Sequence, residues 1–218
     1  MLGSILVYRL RYLVLYSIRF ALRLLLGIQI NHGDRLPTSG PIIVTANHNS
    51  HLDALVLISL FPSHLWPHLR PIAAADYFLE NGPLLSWFAR RMLQIIPVQR
   101  RHPGGKRQFL QDCSEALHRG QILILFPEGT RGEPEQLSTF HGGVACLAKR
   151  HPQVPIVPIF LYGLGRALPK GSLLLVPFIC QVRVGQTLHW TGHKQGLMAQ
   201  LQQQLKALAK EDYLPTWL

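Results

Sequence analysis

A chain of 218 residues is long enough for one α/β domain with a full core and too short for two comfortable ones. Hydrophobic residues make up 48% and charged residues only 15%, leaner in charge than an average soluble domain, which tilts the reading toward membrane association. The net charge of +11 suits an anionic partner (nucleic acid, an acidic lipid surface or a phosphorylated substrate), and three scattered cysteines without a Cys-x-x-Cys argue against a disulfide framework and for a reducing compartment.

The first thirty residues, MLGSILVYRLRYLVLYSIRFALRLLLGIQI, hold four arginines and no acid. They contain no run of 18 uncharged apolar residues, which disfavours a simple spanning helix. Arginines interrupt the apolar part and no small-residue cleavage pattern follows, which disfavours a secretory signal peptide. On a helix turning about 100° per residue, Arg9, Tyr12, Tyr16, Arg19 and Arg23 share one narrow stripe. Leu, Ile, Val and Phe fill most of the remaining circumference. The pattern predicts an interfacial helix, or a helix pair, in the headgroup layer with arginines against lipid phosphate. A core helix whose arginines snorkel to the protein surface has the same pattern, as does a tilted span.

Residues 31–40 (NHGDRLPTSG) are turn-rich and separate this segment, 1–30, from a single domain over 31–218. Short β-like runs then alternate with helical patterns. Strands are expected over 41–46, 71–75, 94–98, 121–126, 154–162 and 172–184, and helices over 50–61, 83–93, 105–118, 142–150 and 195–210. In the last helix Leu197, Leu201, Leu205 and Leu208 form one apolar face; in 105–118, Phe109, Cys113 and Leu117 do the same. The alternation predicts an α/β fold: one mixed sheet flanked by helices on both faces.

Between Glu80 and Asp112 lie Arg90, Arg91, Arg100, Arg101, Lys106 and Arg107 with no acid among them. This is a solvated basic face or a holding place for an anionic substrate or membrane. Nucleic acid is a weak partner here, because Trp87, Phe88 and Phe109 fall in helical packing patterns rather than interleaving the basic residues as stacking groups.

Two stretches carry chemistry. The first, Ala46-Asn47-His48-Asn49-Ser50-His51-Leu52-Asp53-Ala54, follows the apolar run Pro-Ile-Ile-Val-Thr. Five positions on a continuous helix would set His48 and Asp53 about 140° apart. With His48 outside the helix, the turn can return its imidazole to Asp53, whose carboxylate would fix the tautomer and leave the other ring nitrogen open to a proton. Ser50-x-x-Asp53 also reads as a capping box, in which Asp53 serves backbone N–H groups, and both readings stand. A metal site at His48, His51 and Asp53 is a minor alternative: the spacing is not an established zinc pattern, no His-Glu-x-x-His occurs, and no aspartate is followed by x-His.

The second stretch, QILILFPEGTR (121–131), is a buried-strand pattern followed by Phe126-Pro127-Glu128-Gly129-Thr130-Arg131. Gly129 allows a sharp turn, Thr130 offers a hydroxyl, and Arg131 supplies a planar fork suited to phosphate oxygens. A plain β-turn explains it alone. Both stretches fall at predicted strand ends, where open α/β sheets bind ligands.

With these residues in view, the sequence resembles the glycerolipid acyltransferases typified by lysophosphatidate acyltransferase. Asn47, His48 and Asp53, with Ser50, meet the family's Asn-His-x4-Asp motif, and residues 126–131 meet its Phe-Pro-Glu-Gly-Thr-Arg in full. IIPVQR (95–100) places Arg100 as the arginine that ends the second motif, and VPIVPIF (154–160) resembles the fourth. Three positions depart: Gln99 stands where aspartate is frequent, Gly132 where serine is, and His141 where lysine is common. The resemblance covers roughly residues 41–162. It implies an O-acyltransferase moving a fatty acyl group from a thioester on coenzyme A or acyl carrier protein to the free hydroxyl of a lysophospholipid, 1-acylglycerol 3-phosphate first among them. His48 would be the general base, Asp53 its orienter, Arg100 and Arg131 the phosphate holders aided by Glu128, Gly129 and Thr130, with Asn47 and Ser50 in support. It implies no cofactor beyond the thioester co-substrate, no metal and no nucleic acid, and a place on the cytoplasmic face of a membrane, a bacterial inner membrane by preference. Other lysophospholipids or hydroxylated lipids remain possible acceptors. A membrane-surface metallophosphohydrolase and a non-catalytic lipid-binding module are the rival classes.

Overall fold

The computed structural model describes residues 2–75, 82–99, 103–169, 171 and 174–211. Seven strands form one sheet: β1 (Gln29–Asn31), β2 (Ile42–Ala46), β3 (Leu69–Ala74), β4 (Ile96–Val98), β5 (Ile122–Leu125), β6 (Ile156–Tyr162) and β7 (Gln181–Val184). Their order is β1-β7-β6-β2-β5-β3-β4. The pairing of β6 with β7 is antiparallel and the others are parallel, so the sheet is mixed as predicted.

The centre of the sheet explains its sequence. β2 pairs with β5 on one side and β6 on the other, and all five of its residues are buried. A strand covered on both faces needs a continuous apolar run rather than alternation. Alternate residues still divide between two cores. Ile42, Val44 and Ala46 join Ile122, Ile124 and Ile159 beneath α1 (Leu2–Leu25) and α2 (Asp53–Leu60). Ile43 joins Leu123, Leu125, Ile156 and Phe160 on the opposite face. That face is covered by α4 (Gly105–His118), α5 (Gly143–Arg150) and α7 (Lys194–Ala209). The leucines at 197, 201, 205 and 208 are all buried there, the face their spacing predicts. Helix α3 (Pro83–Phe88) runs on through a π-helical turn (Ala89–Leu93), and a short α6 (Leu164–Ala167) follows β6.

The structure corrects three expectations. The 1–30 segment contains one long helix, the first of its two readings, but its last residues begin β1, an edge strand that periodicity does not reveal in three residues. Of the described residues in the run 172–184, only Gln181–Val184 join the sheet. Helix α2 begins at Asp53, three residues later than its pattern suggests.

Helix α1 also divides its arginines in a way the stripe does not show. Leu15, Leu22 and Leu26 face the core. Arg11, off the stripe, is 3% exposed; its Nε donates to Met92 O at 2.8 Å and a terminal nitrogen to Trp66 O at 2.6 Å. Burial pushes this guanidinium down to about 10, with Arg70 adding to the effect. Tyr12 and Tyr16 pack on Trp66, while Arg9 and Arg23 are exposed. Beside them Leu13, Phe20 and Leu24 are 65%, 68% and 73% exposed. Among the described residues no helix is long and apolar enough to cross a membrane.

Truncating Leu201, fully buried between α7 and the sheet, to alanine is expected to lower unfolding stability by about 2–5 kcal/mol. Denaturant unfolding of the purified variant measures this.

Candidate active site

The two motifs meet because their strands are neighbours. Thr45 at the end of β2 lies in register with Leu125 at the end of β5, so both following turns leave the same edge of the sheet. A hydrogen bond from Gly132 N–H to His48 O (2.9 Å) ties the turns together. Gly129 has φ +71°, and a Cβ there would come within 2.8 Å of the His141 ring, so the turn needs glycine for both backbone and space.

Asp53 is fully buried, and its Oδ2 accepts three hydrogens: from His48 Nδ1 at 2.8 Å, Asn49 N–H at 2.7 Å and Ser50 N–H at 2.9 Å. The orienting reading and the capping reading of this carboxylate therefore describe the same atom. The serine half of the capping box differs from expectation: Ser50 Oγ accepts from Leu52 N–H and donates to Leu168 O. Because a carboxylate oxygen only accepts, the proton in the histidine–aspartate bond sits on Nδ1. In the neutral ring this leaves Nε2 with its lone pair. The His48 ring stacks on Phe126, with centroids 4.1 Å apart and planes 17° from parallel.

His48 stands in the wall of a cavity of about 850 Å³. Its lining combines apolar side chains, Leu55, Phe88, Leu93 and Ile95 among them, with the polar Gln99, Lys106, Thr130, Arg131 and His141. Arg131 donates to His51 Nε2. Burial, then the neighbouring Arg131, lowers the His51 pKa from its ordinary value, which keeps its ring nitrogen available as an acceptor for the guanidinium. Arg100 lies outside the described residues. Its neighbour Gln99 lines the cavity.

The remaining predicted residues act behind the wall. Glu128, 2% exposed, is absent from the cavity lining: its Oε1 accepts from His48 N–H at 3.0 Å, and its Oε2 accepts from Ser138 N–H and Oγ. It braces the two turns against each other. Asn47 joins the ends of β2 and β6, accepting from Leu161 N–H at 2.6 Å and donating to Leu161 O at 2.9 Å. Asn49, which the motif leaves unspecified, is buried; its amide accepts from Asn47 Nδ2 and donates to Glu133 O. Lys106 is visible in sequence only as one of six basic residues, and Ser138 carries no signal at all. Among the described residues no three His, Cys, Asp or Glu side chains converge as a metal-ligand set.

The chain has known relatives. The acyltransferase family model matches residues 27–162. The chain belongs to the acyltransferase family. A chloroplastic 1-acyl-sn-glycerol-3-phosphate acyltransferase of Brassica napus is 34% identical over 140 residues, 64% of this chain and 38% of that protein. The chain thus spans well under half the length of such relatives. A 1-acyl-sn-glycerol-3-phosphate acyltransferase of Pseudomonas aeruginosa is 27% identical over 209 residues, covering 93% of this chain and 77% of the relative. The crystal structure of the 1-acyl-sn-glycerophosphate acyltransferase PlsC from Thermotoga maritima superposes with a TM-score of 0.70 at 20% identity, over 95% of this chain and 84% of that one. The acyltransferase fold is therefore shared along nearly the whole chain.

Asp53→Asn tests the double duty of the carboxylate. The variant should lose both turnover per folded molecule, by about 10²-fold or more, and stability, on the order of 1–3 kcal/mol. A stability loss with unchanged turnover would leave Asp53 only its capping role. Kinetics corrected for active protein, run beside thermal unfolding, separate the two.

Proposed function

We propose that this acyltransferase moves a fatty acyl group from an acyl-CoA or acyl carrier protein thioester to the free hydroxyl of a lysophospholipid, with 1-acylglycerol 3-phosphate as acceptor and phosphatidate as product. The observation that carries the reading is the His48–Asp53 pair, with His48 in the wall of a cavity lined by apolar side chains together with Lys106 and Arg131. The names of the relatives point the same way. A Pseudomonas aeruginosa lyso-ornithine lipid O-acyltransferase, 36% identical over 108 residues, makes another lysolipid the alternative acceptor.

In this reading the acceptor hydroxyl lies against His48 Nε2. As its oxygen attacks the thioester carbonyl carbon, Nε2 takes the proton, and the ring, now cationic, is held by Asp53 Oδ2. Collapse of the tetrahedral adduct breaks the C–S bond, and the departing thiolate recovers the proton from His48. A thioester is already activated, so no covalent enzyme intermediate is required. The acceptor's phosphate is held by Arg131, with Gly129 and Thr130 beside it and Arg100 as the second cation. Glu128 keeps the His48 backbone in place rather than touching substrate. The acyl chain lies along Leu55, Phe88, Leu93 and Ile95. Helix α1 rests in the headgroup layer, Leu13, Phe20 and Leu24 downward and Arg9 and Arg23 against phosphate, which places the site at the lipid surface.

His48→Ala should reduce turnover by about 10²–10⁴ with the fold intact. Wild-type rates from the purified variant would overturn the mechanism. Arg131→Lys keeps the charge and loses the planar fork. In a two-substrate titration it should raise KM for the lysophospholipid severalfold and leave KM for the thioester nearly unchanged. A defect confined to the thioester would place Arg131 on the donor side.

A further inference from the structure

The stretch 174–180, Leu-Leu-Val-Pro-Phe-Ile-Cys, lies in the region where a strand is predicted, yet it runs over the surface without regular secondary structure. It has no polar side chain. Leu175 and Phe178 pack against the core beneath α1, and Cys180 is buried. Leu174, Val176 and Ile179 point the other way, 73%, 48% and 53% exposed, with Pro177 exposed among them. Three large exposed aliphatic side chains and an exposed proline thus fall within six residues, the kind of surface that marks a contact.

Its neighbours identify the partner. Ile179 lies against the end of α1: a Cβ built on Gly27 would sit 3.7 Å from its Cγ1, and Gln29 N–H donates to Cys180 O at 2.9 Å. The patch thus adjoins the helix whose outward face pairs Leu13, Phe20 and Leu24 with exposed arginines. The segment is also tied to the catalytic turn. Val176 N–H donates to Ala167 O, the neighbouring Leu168 O accepts from Ser50 Oγ, and a Cβ on Gly165 would sit 3.1 Å from Asn49 Cβ.

We propose that residues 174–180 form a second contact with the phospholipid bilayer, an inference that rests on the reading of α1 as an interfacial helix. The uncharged side chains of the segment enter the boundary between headgroups and acyl chains, and the arginines of α1 meet anionic headgroups. Because the segment is linked to the turn carrying Asn49 and Ser50, its seat on the bilayer sets the height of His48 above the lipid.

The test is flotation of the full chain with phosphatidylcholine vesicles containing phosphatidylglycerol. Leu174→Ser/Val176→Ser/Ile179→Ser should bind about tenfold or more weakly, with a deficit that salt does not change because no charge is lost. Its turnover on a short-chain monomeric acceptor should match wild type. Leu13→Ser/Phe20→Ser/Leu24→Ser is run in parallel. Undiminished binding by the first variant beside a loss in the second overturns the second contact and leaves α1 as the anchor. Undiminished binding by both overturns the interfacial reading of α1 and the second contact with it. Should the first variant fail to fold, an environment-sensitive probe on Val176→Cys in a Cys146→Ser background decides, since Cys113 and Cys180 are buried. A blue shift on adding vesicles supports the contact, and an unchanged spectrum overturns it.

Discussion

Asp53 Oδ2 has no exposed surface, accepts three hydrogens, and stands between two jobs that would ordinarily be separate. Two of its donors are consecutive backbone N–H groups, Asn49 and Ser50, which fix the turn entering α2. The third is the imidazole that this turn presents to the cavity. A buried carboxylate is costly unless such donors surround it, and the donors are costly unless something accepts from them. The turn and the His–Asp pair therefore stabilise each other, and the placement of the imidazole is set by the same atoms that start the helix. Oδ1 has no protein partner, so the compensation falls entirely on one oxygen.

The other buried polar groups extend this arrangement outward. Asn47 spans β2 to β6, Asn49 reaches the 133 backbone, and Glu128 joins His48 to Ser138. All but the Glu128–Ser138 bond link segments distant in sequence, so three strand ends are cross-braced. Parallel strands make this possible: β2, β5 and β6 end together at one edge, which brings the turns that leave them within hydrogen-bonding reach of one another. Glu135 continues the pattern at φ +56°, accepting from Gly163 N–H and pairing with Arg166.

Helix α1 shows how one composition serves two environments. Arg11 satisfies two carbonyls at the ends of neighbouring turns, and Arg19 reaches Phe61 O at 3.4 Å, while Arg9 and Arg23 stay in solvent. One face of this helix packs on the core, and the opposite one leaves Leu13, Phe20 and Leu24 exposed beside Arg9 and Arg23. Both follow from leucines that cover more than half the circumference: one arc packs on the sheet and another is left outside.

Periodicity and motif spacing carried much of this in the sequence alone. The apolar faces of α7 and α4, the apolar run of β2, and the pairing of His48 with Asp53 are local patterns, each written within a dozen or so residues, and local patterns survive folding. What spacing could not carry were relations across the chain. That Glu128 turns inward to His48 N–H and Ser138 depends on which strand lies beside β2. That Arg11 is buried depends on where Trp66 and Met92 come to rest, and that 174–180 stays out of the sheet depends on β7 being only four residues long. The residues and their chemistry belong to the sequence. The side on which each one ends, facing substrate, core or surface, was decided by strand order and by which polar groups the closed fold left in need of partners.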